Sequence, residues 1–315
     1  MTDNVTPGEI VSEETLEMLV GIQAQIPEDA LSAGVLGTER SGHGARIRDD
    51  GLIVTIGYVV NDAEEIWIRS AEGAMVPGIV VGNDYQSGLA LIRPTSPLPG
   101  PVIEATTSGD VQIGDAMIAC GSEESDPQIV EAQIVARQEF AGRWEYVIDN
   151  AIFTAPPHPS WSGAALLDLR GRLCGIGSLV IQGFDVSGSP RTVNMFVPVD
   201  LIVPVIDEIC VHGQRLTPTR PWLGFLVHEE DGELMIVGVY RDCPADIAGL
   251  RPGDIVLEVN EQPVVKLATL FRSIWSLGAA GTEIPLTILR SSQRETVVVQ
   301  SSERAAFQQR HGTIQ

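Results

Sequence analysis

The chain has 315 residues, 44% of them hydrophobic and only 5% aromatic, and its formal net charge is -22. This length is enough for two packed domains. A strongly negative charge opposes binding to the phosphates of nucleic acids and to anionic lipids. We therefore expect neither nucleic acid nor a membrane as a partner.

The first 31 residues form an acidic segment without lysine or arginine. Within residues 10–26 the apolar side chains recur near helical spacing, and Ser12 precedes two glutamates as a helix N-cap would, so an amphipathic helix is predicted. It would either pack on its own domain or contact a partner. No basic region is followed by an apolar stretch, so we expect no secretory signal and a cytoplasmic location.

Between residues 32 and 212, short apolar runs recur, each bounded by Gly, Asp, Asn or Pro. Strands at this spacing, with 32 glycines and 20 prolines in the chain, predict an all-β barrel or sandwich. Cys120 and Cys174 lie inside such runs without CxxC spacing, which predicts buried free thiols. Residues 199–212 read as a closing helix.

Residues 213–220 form a polar linker, and 221–305 a second unit, followed by a polar tail at 306–315. The second unit has predicted strands at 223–228, 234–240, 254–259 and 284–290 and a predicted helix at 267–277.

The stretches SGHGARIRDDGLIVTIGYVVNDAEEIWI, VGNDYQSGLALIRP and HPSWSGAALLDLRGRLCGIGSLV resemble, in order and wording, the HtrA-type branch of the trypsin-like serine proteases. The resemblance implies a mainly β fold, a trypsin-like double β-barrel followed by an α+β PDZ domain, and the residue spacing adds a short N-terminal helix. It places Ser162 at the nucleophile. It also places Tyr58 at the position of the catalytic histidine and Gly88 at that of the catalytic aspartate.

These replacements change the expected chemistry. A serine hydroxyl needs a neighbouring base, and a phenol with a reference pKa of about 10 is no base near neutral pH. Ser160 and Trp161 replace small residues of the turn that forms the oxyanion site, and we expect the indole of Trp161 to fill or cover the pocket. The sequence therefore predicts no enzyme but a degenerate protease homologue, acting as a protein-binding scaffold or accessory subunit.

Two alternatives stay open at this point. The chain could be a weak or rewired serine hydrolase, with His43 or His158 replacing the missing base. It could also be a chaperone that binds unfolded chains without cutting them.

The stretches PWLGF and CPADIAGLRPGDIVLEVNEQPV resemble a PDZ domain of the kind attached to these proteases. The resemblance implies a groove that binds the C-terminus of a polypeptide as an added strand. The residues implied to form this groove are Trp222, Leu223, Gly224, Phe225, Val227, Leu270 and Ile274. The same apolar residues would also be the ordinary core of such a domain, and both readings stay open.

No metal site or cofactor is expected. The expected partner is another protein or a peptide C-terminus. The resemblance also implies a homo-oligomer, by analogy a trimer, and the chain could instead be a subunit of a heteromeric complex.

Overall fold

The computed structural model describes residues 13–98, 100–106, 108–123, 126–184 and 190–308. The chain divides into two compact units. The first contains the chain up to Glu139 and returns for Asp149–Arg215. The second contains Phe140–Ile148 and the chain from Leu216 onward. A short internal segment therefore belongs with the C-terminal unit, which the sequence did not indicate.

The first unit begins with a closed six-stranded barrel in the order β1-β2-β3-β6-β5-β4. Its strands form because apolar side chains alternate toward the interior, and Ile22 and Ile68 are almost fully buried. The short helix α2 (Ala33–Leu36) follows β1, and α3 (Gly57–Val60) follows β3. The barrel strands are β1 (Leu19–Gln25), β2 (Glu39–Arg46), β3 (Ile53–Ile56), β4 (Glu65–Arg69), β5 (Met75–Asp84) and β6 (Leu89–Pro94).

The single helix predicted over residues 10–26 is wrong in its described part. Helix α1 spans only Glu13–Glu17, and Leu19–Gln25 form strand β1, so the barrel begins well before residue 32. Val20, Ile22, Ala24 and Ile26 alternate with more polar neighbours, and this period of two prevails because β1 pairs with both β2 and β4.

A second closed barrel follows, in the order β10-β11-β12-β9-β8-β7. Cys120 and Cys174 are buried in it as free cysteines, as predicted. Its core includes Met117, Ile134 and Phe196. The strands are β7 (Ala116–Glu123), β8 (Asp126–Gly142), β9 (Tyr146–Ala155), β10 (Ala165–Leu167), β11 (Leu173–Phe184) and β12 (Pro190–Pro198).

The closing helix predicted over residues 199–212 is shorter than expected. Two 3-10 turns, Val199–Leu201 and Val203–Val205, precede helix α4 (Ile206–His212). Pro204 explains the delay, because proline has no backbone N–H and fits only the first turn of an α-helix.

The second unit contains a sheet in the order β13-β14-β15-β17-β18, with β16 paired to β15. The four predicted strands and the predicted helix are confirmed, whereas β18 was missed. Strand β13 lies at one edge of the sheet, with β14 as its neighbour. The elements are β13 (Phe225–Glu230), β14 (Glu233–Val239), α5 (Pro244–Ile247), β15 (Ile255–Val259), β16 (Gln262–Pro263), α6 (Leu267–Ser276), β17 (Glu283–Arg290), β18 (Gln293–Gln300) and α7 (Ala305–Gln308).

Within the part of the chain that the structure describes, no helix is both long enough and apolar enough to cross a bilayer.

The backbone around Gly163 yields the first prediction. Gly163 has φ +78°, and a Cβ atom there would lie 2.0 Å from the carbonyl oxygen of His43. The obstructing atom belongs to the backbone of His43, and a positive φ strains alanine. We therefore expect Gly163→Ala to lower the free energy of unfolding by about 2–4 kcal/mol. Urea unfolding followed by circular dichroism measures the change.

Gly34→Ala is the matched control. Gly34 lies in helix α2, and a Cβ atom there meets no other atom within 4 Å. We expect this variant to be as stable as the wild type or slightly more stable, because alanine favours helix. Equal stability of Gly163→Ala and the wild type would contradict the close approach of Gly163 to His43.

Candidate functional site

Ser162 lies in the turn between β9 and β10, and neighbouring backbone holds this turn in place. The N–H of His43 donates to the carbonyl oxygen of Ser162 at 2.8 Å, and the N–H of Gly163 donates to Gly177 at 2.8 Å. The hydroxyl of Ser162 is buried and has no hydrogen-bond partner among the described residues. The fold therefore fixes the main chain of Ser162 and buries its hydroxyl near the phenol of Tyr58.

An open cleft of about 820 Å³ lies over Ser162. Trp161 is 36% exposed and lines the cleft. That its indole fills or covers the pocket stays a prediction from the sequence. The lining residues are Gly21, Ile22, Gln23, Ser41, Gly42, His43, Tyr58, Arg69, Gln128, Pro159, Ser160, Trp161 and Ser162.

Tyr58 lines the same cleft as Ser162. Its hydroxyl donates a hydrogen bond to the carbonyl oxygen of Ser178 at 2.7 Å. Burial raises the pKa of Tyr58 to about 12, and the nearby Ser162 and Trp161 only partly oppose this rise. The phenol is therefore protonated at neutral pH and is no general base there.

Gly88 lies beside the residue that precedes Tyr58. The N–H of Gly57 donates to the carbonyl oxygen of Gly88 at 2.7 Å, and Gly88 has φ +76°. This left-handed conformation suits glycine and strains most other residues. The fold thus brings Tyr58, Gly88 and Ser162 into one region. That they correspond to a catalytic triad stays a prediction from the sequence.

Neither histidine considered as a base contacts the hydroxyl of Ser162 in the described hydrogen bonds. His158 is fully buried, and its Nδ1 accepts a hydrogen bond from the N–H of Ser160 at 3.1 Å. The ring proton therefore lies on Nε2, which is 3.0 Å from the carbonyl oxygen of Gln128. Both ring nitrogens are thereby engaged, and the side chain holds the turn before Ser162. Nδ1 of His43 lies 3.1 Å from the carbonyl oxygen of Ser162.

A buried ion pair supports the loop that carries Gly88, and sequence reasoning missed it. Asp84 is 1% exposed, and its carboxylate accepts hydrogen bonds from Nε and Nη2 of Arg215 at 2.7 and 2.6 Å. It also accepts the hydroxyl of Ser87 and the N–H of Gln86. The partner of Asp84 lies more than a hundred residues away in the sequence, so no local pattern indicates that Asp84 supports this loop.

In the second unit, most of the predicted groove residues lie in one apolar cluster. Leu223, Phe225, Val227, Leu270 and Ile274 are almost completely buried, together with the side chain of Val147. These residues are therefore core of the domain, as one of the two readings expected, and that they also form a peptide groove stays a prediction.

The other two predicted groove residues shape the loop before β13. Trp222 packs against Tyr240 and Phe307 and pairs through its backbone with Ser302, so its ring serves packing. Gly224 has φ +80°, and a Cβ atom there would lie 2.6 Å from that of Cys243.

Glu145, which the sequence did not indicate, binds this loop. Its carboxylate accepts the N–H of Leu223 at 3.0 Å and the N–H of Gly224 at 2.8 Å. Burial raises the pKa of Glu145 to about 7, although the loop N–H groups and the charge of Arg304 oppose the rise. Nothing local marks this glutamate, which lies 78 residues before its partner.

Comparison with known proteins identifies both units. A family model described as a trypsin-like peptidase domain matches residues 42–176, and a PDZ domain model matches residues 221–300. The HtrA-type protease AlgW with decapeptide has a similar fold, with a TM-score of 0.54 at 22% identity over 92% of this chain and 97% of that one. The chain has the architecture of an HtrA-type protease.

Curated relatives of this HtrA-type chain are probable periplasmic serine endoproteases described as DegP-like. One from Pseudomonas fluorescens is 28% identical over 271 residues, which cover 81% of this chain and 55% of the relative. One from Pseudomonas fulva is 27% identical over 293 residues, covering 88% of this chain and 60% of the relative. The chain thus spans little more than half the length of these relatives.

These names overturn two predictions. Relatives named as serine endoproteases point to a protease, so the prediction that this HtrA-type chain is not an enzyme is wrong, and nothing in the described cleft shows a loss of activity. Relatives named as periplasmic point away from the cytoplasm, so the predicted cytoplasmic location is contradicted as well. The predicted fold, a double β-barrel with a PDZ domain, is confirmed.

The environment of Tyr58 yields the second prediction. Tyr58→Phe removes the hydrogen bond to Ser178, so we expect the free energy of unfolding to fall by about 1 kcal/mol. Because the pKa of Tyr58 is raised to about 12, absorbance at 295 nm should follow the same curve in wild type and variant below pH 11. A tyrosinate signal that the variant lacks at pH 9–10 would show that the phenol is more acidic than its burial implies.

Proposed function

We propose that this chain is a serine endopeptidase that acts on polypeptides, with Ser162 as the nucleophile and the PDZ domain as a binding site for polypeptide C-termini. One observation carries the peptidase part: Ser162 lines an open cleft together with His43. The names of the relatives support the same activity.

The cleft constrains how Ser162 could react. Its Oγ would attack the carbonyl carbon of a peptide bond, and a nearby base would take the hydroxyl proton. Tyr58 is unsuited to this step at neutral pH, because its pKa is raised to about 12. His158 is unsuited as well, because the turn engages both of its ring nitrogens.

His43 is the remaining histidine that lines the cleft, and we assign the base to it. Its contact with the carbonyl oxygen of Ser162 requires a proton on Nδ1, which leaves Nε2 as the basic nitrogen. This carbonyl replaces the carboxylate that orients the histidine in a Ser-His-Asp triad, and an uncharged partner stabilises an imidazolium less. We therefore expect slow hydrolysis.

The PDZ part of the proposal rests on the loop before β13 and on the edge of the sheet. The N–H groups of Leu223 and Gly224 converge on one carboxylate, which shows that the loop can hold this group. Strand β13 lies at the sheet edge, where an extended peptide can be added. The cluster that contains Phe225 and Leu270 would receive an apolar last side chain. Assembly into an oligomer stays a prediction.

Covalent labelling tests the peptidase part. The chain is incubated with a serine-reactive fluorophosphonate and with an unfolded, fluorescently labelled protein, and labelled sites are mapped by mass spectrometry. We expect slow labelling at Ser162 and slow cleavage, both at least a hundredfold lower in Ser162→Ala and about tenfold lower in His43→Gln.

Ser41→Ala, purified in the same way, is the control, because Ser41 lines the cleft without contributing to the proposed chemistry. It should retain the activity of the wild type. Cleavage that persists at full rate in Ser162→Ala would remove Ser162 as the nucleophile. An unchanged rate in His43→Gln would remove only His43 as the base.

A further inference from the structure

The tip of the β8–β9 hairpin, Phe140–Ile148, belongs to the second unit and contacts the loop before β13. At this tip Glu145 accepts hydrogen bonds from the N–H groups of Leu223 and Gly224. These are the donors to which the proposed function assigns the terminal carboxylate of a bound polypeptide. A side-chain carboxylate of the same chain therefore occupies that place.

The backbone of the same segment contacts the edge of the sheet. The N–H of Val227 in β13 donates to the carbonyl oxygen of Arg143 at 3.0 Å. An extended peptide added to this edge would accept the same kind of hydrogen bond. The hairpin tip thus uses the edge of β13 as an added strand would.

An apolar side chain completes the likeness to a bound peptide. Val147 is 7% exposed and is part of the buried cluster that contains Phe225, Val227, Leu270 and Ile274. These four were the residues expected to surround the apolar last side chain of a ligand. One segment therefore supplies a carboxylate, a strand-type hydrogen bond and an apolar side chain.

Contacts within the hairpin tip support the shape that it has in this position. Trp144 stacks on Tyr146 with ring centroids 5.7 Å apart, and Phe140 meets Tyr146 edge-on at 6.4 Å. Glu145 itself has φ +61°, in the left-handed region, which turns the chain between Trp144 and Tyr146. Ring packing within the hairpin lowers the conformational entropy that docking would cost.

We propose that Arg143–Val147 is an internal ligand of the PDZ groove, with the carboxylate of Glu145 in the place of a peptide's terminal carboxylate. This proposal rests on the proposed binding of polypeptide C-termini. A polypeptide with a free carboxylate and an apolar last residue must displace the segment to bind. Its apparent dissociation constant then equals the intrinsic constant divided by the fraction of undocked segments.

Peptide binding to the full-length chain tests the proposal. The probe is a fluorescent decapeptide that ends in valine with a free carboxylate, and the same peptide with an amidated end is its control. Fluorescence anisotropy at pH 8 measures the dissociation constants for the wild type and for Glu145→Ala. Alanine has no oxygen that can accept the N–H groups of Leu223 and Gly224, so we expect the variant to bind the free-carboxylate peptide at least tenfold more tightly.

Glu131→Ala is the matched control, because Glu131 is an exposed residue of β8 in the same hairpin and its loss changes the net charge equally. It should bind like the wild type. Equal affinity of Glu145→Ala and wild type would overturn the internal ligand and leave the proposed peptide binding intact. No binding by any of the three proteins would instead overturn the proposed peptide binding.

A measurement on the wild type covers the case in which Glu145→Ala does not fold. Saturating free-carboxylate peptide should increase hydrogen exchange at the amides of residues 143–147, because the displaced segment loses its contacts. The amidated peptide should leave exchange unchanged. Unchanged exchange at these amides with bound free-carboxylate peptide would overturn the proposal.

The pH dependence gives an independent readout. In the docked segment the pKa of Glu145 is raised to about 7 by burial, against the effects of the loop N–H groups and of Arg304. Leu223, Gly224 and Phe225 carry no ionisable side chain, and Arg143 on the same hairpin is exposed. A raised pKa means that the docked form binds a proton more readily than the undocked form.

Docking is therefore strongest below the ordinary pKa of glutamate and weakens as the pH rises to about 7. A peptide's terminal carboxylate, with a reference pKa near 3.5, stays charged throughout this window. We expect wild-type affinity for the free-carboxylate peptide to fall about tenfold from pH 8 to pH 5.5, and that of Glu145→Ala to stay constant. The same pH dependence in both proteins would contradict docking through Glu145.

Discussion

The contact between β2 and the turn at Ser162 is the constraint on which the cleft depends. The N–H of His43 bonds to the carbonyl oxygen of Ser162, and the carbonyl oxygen of His43 lies where a side chain at position 163 would begin. Gly42 repeats this arrangement, because a Cβ atom there would lie 2.8 Å from the carbonyl oxygen of Ser162. Two glycines thus let two backbones meet, and the buried hydroxyl of Ser162 follows from that approach.

Much of the fold could be predicted because its signals are local. Short apolar runs bounded by turn residues marked the barrel strands, and the PDZ strands and helix α6 lie close to their predicted positions. The segment at 10–26 failed because its apolar residues fit two periods at once. Sheet pairing on both sides of β1 decided for the strand, and such pairing is invisible in a single segment.

The candidate site divides in the same way. The resemblance to the protease family predicted that Tyr58 and Ser162 share a site, and they do line one cleft. The resemblance could not show whether that cleft is open. The size of Trp161 alone does not show whether it covers the cleft, because the direction of a side chain depends on the folded turn. Asp84 and Arg215 were missed for a related reason, since an ion pair across 131 residues leaves no mark in sequence spacing.

Glu145 shows what such long-range pairing can mean for function. Removing an ionised carboxyl group from water costs free energy. The N–H groups of Leu223 and Gly224 offset only part of this cost, since the pKa of Glu145 stays raised. A contact that served stability alone would be better made by an apolar side chain. In a loop that binds carboxylates, however, the side chain of Glu145 can be replaced by the terminal carboxylate of a peptide. The incomplete stabilisation of Glu145 therefore favours an exchangeable occupant over a permanent one.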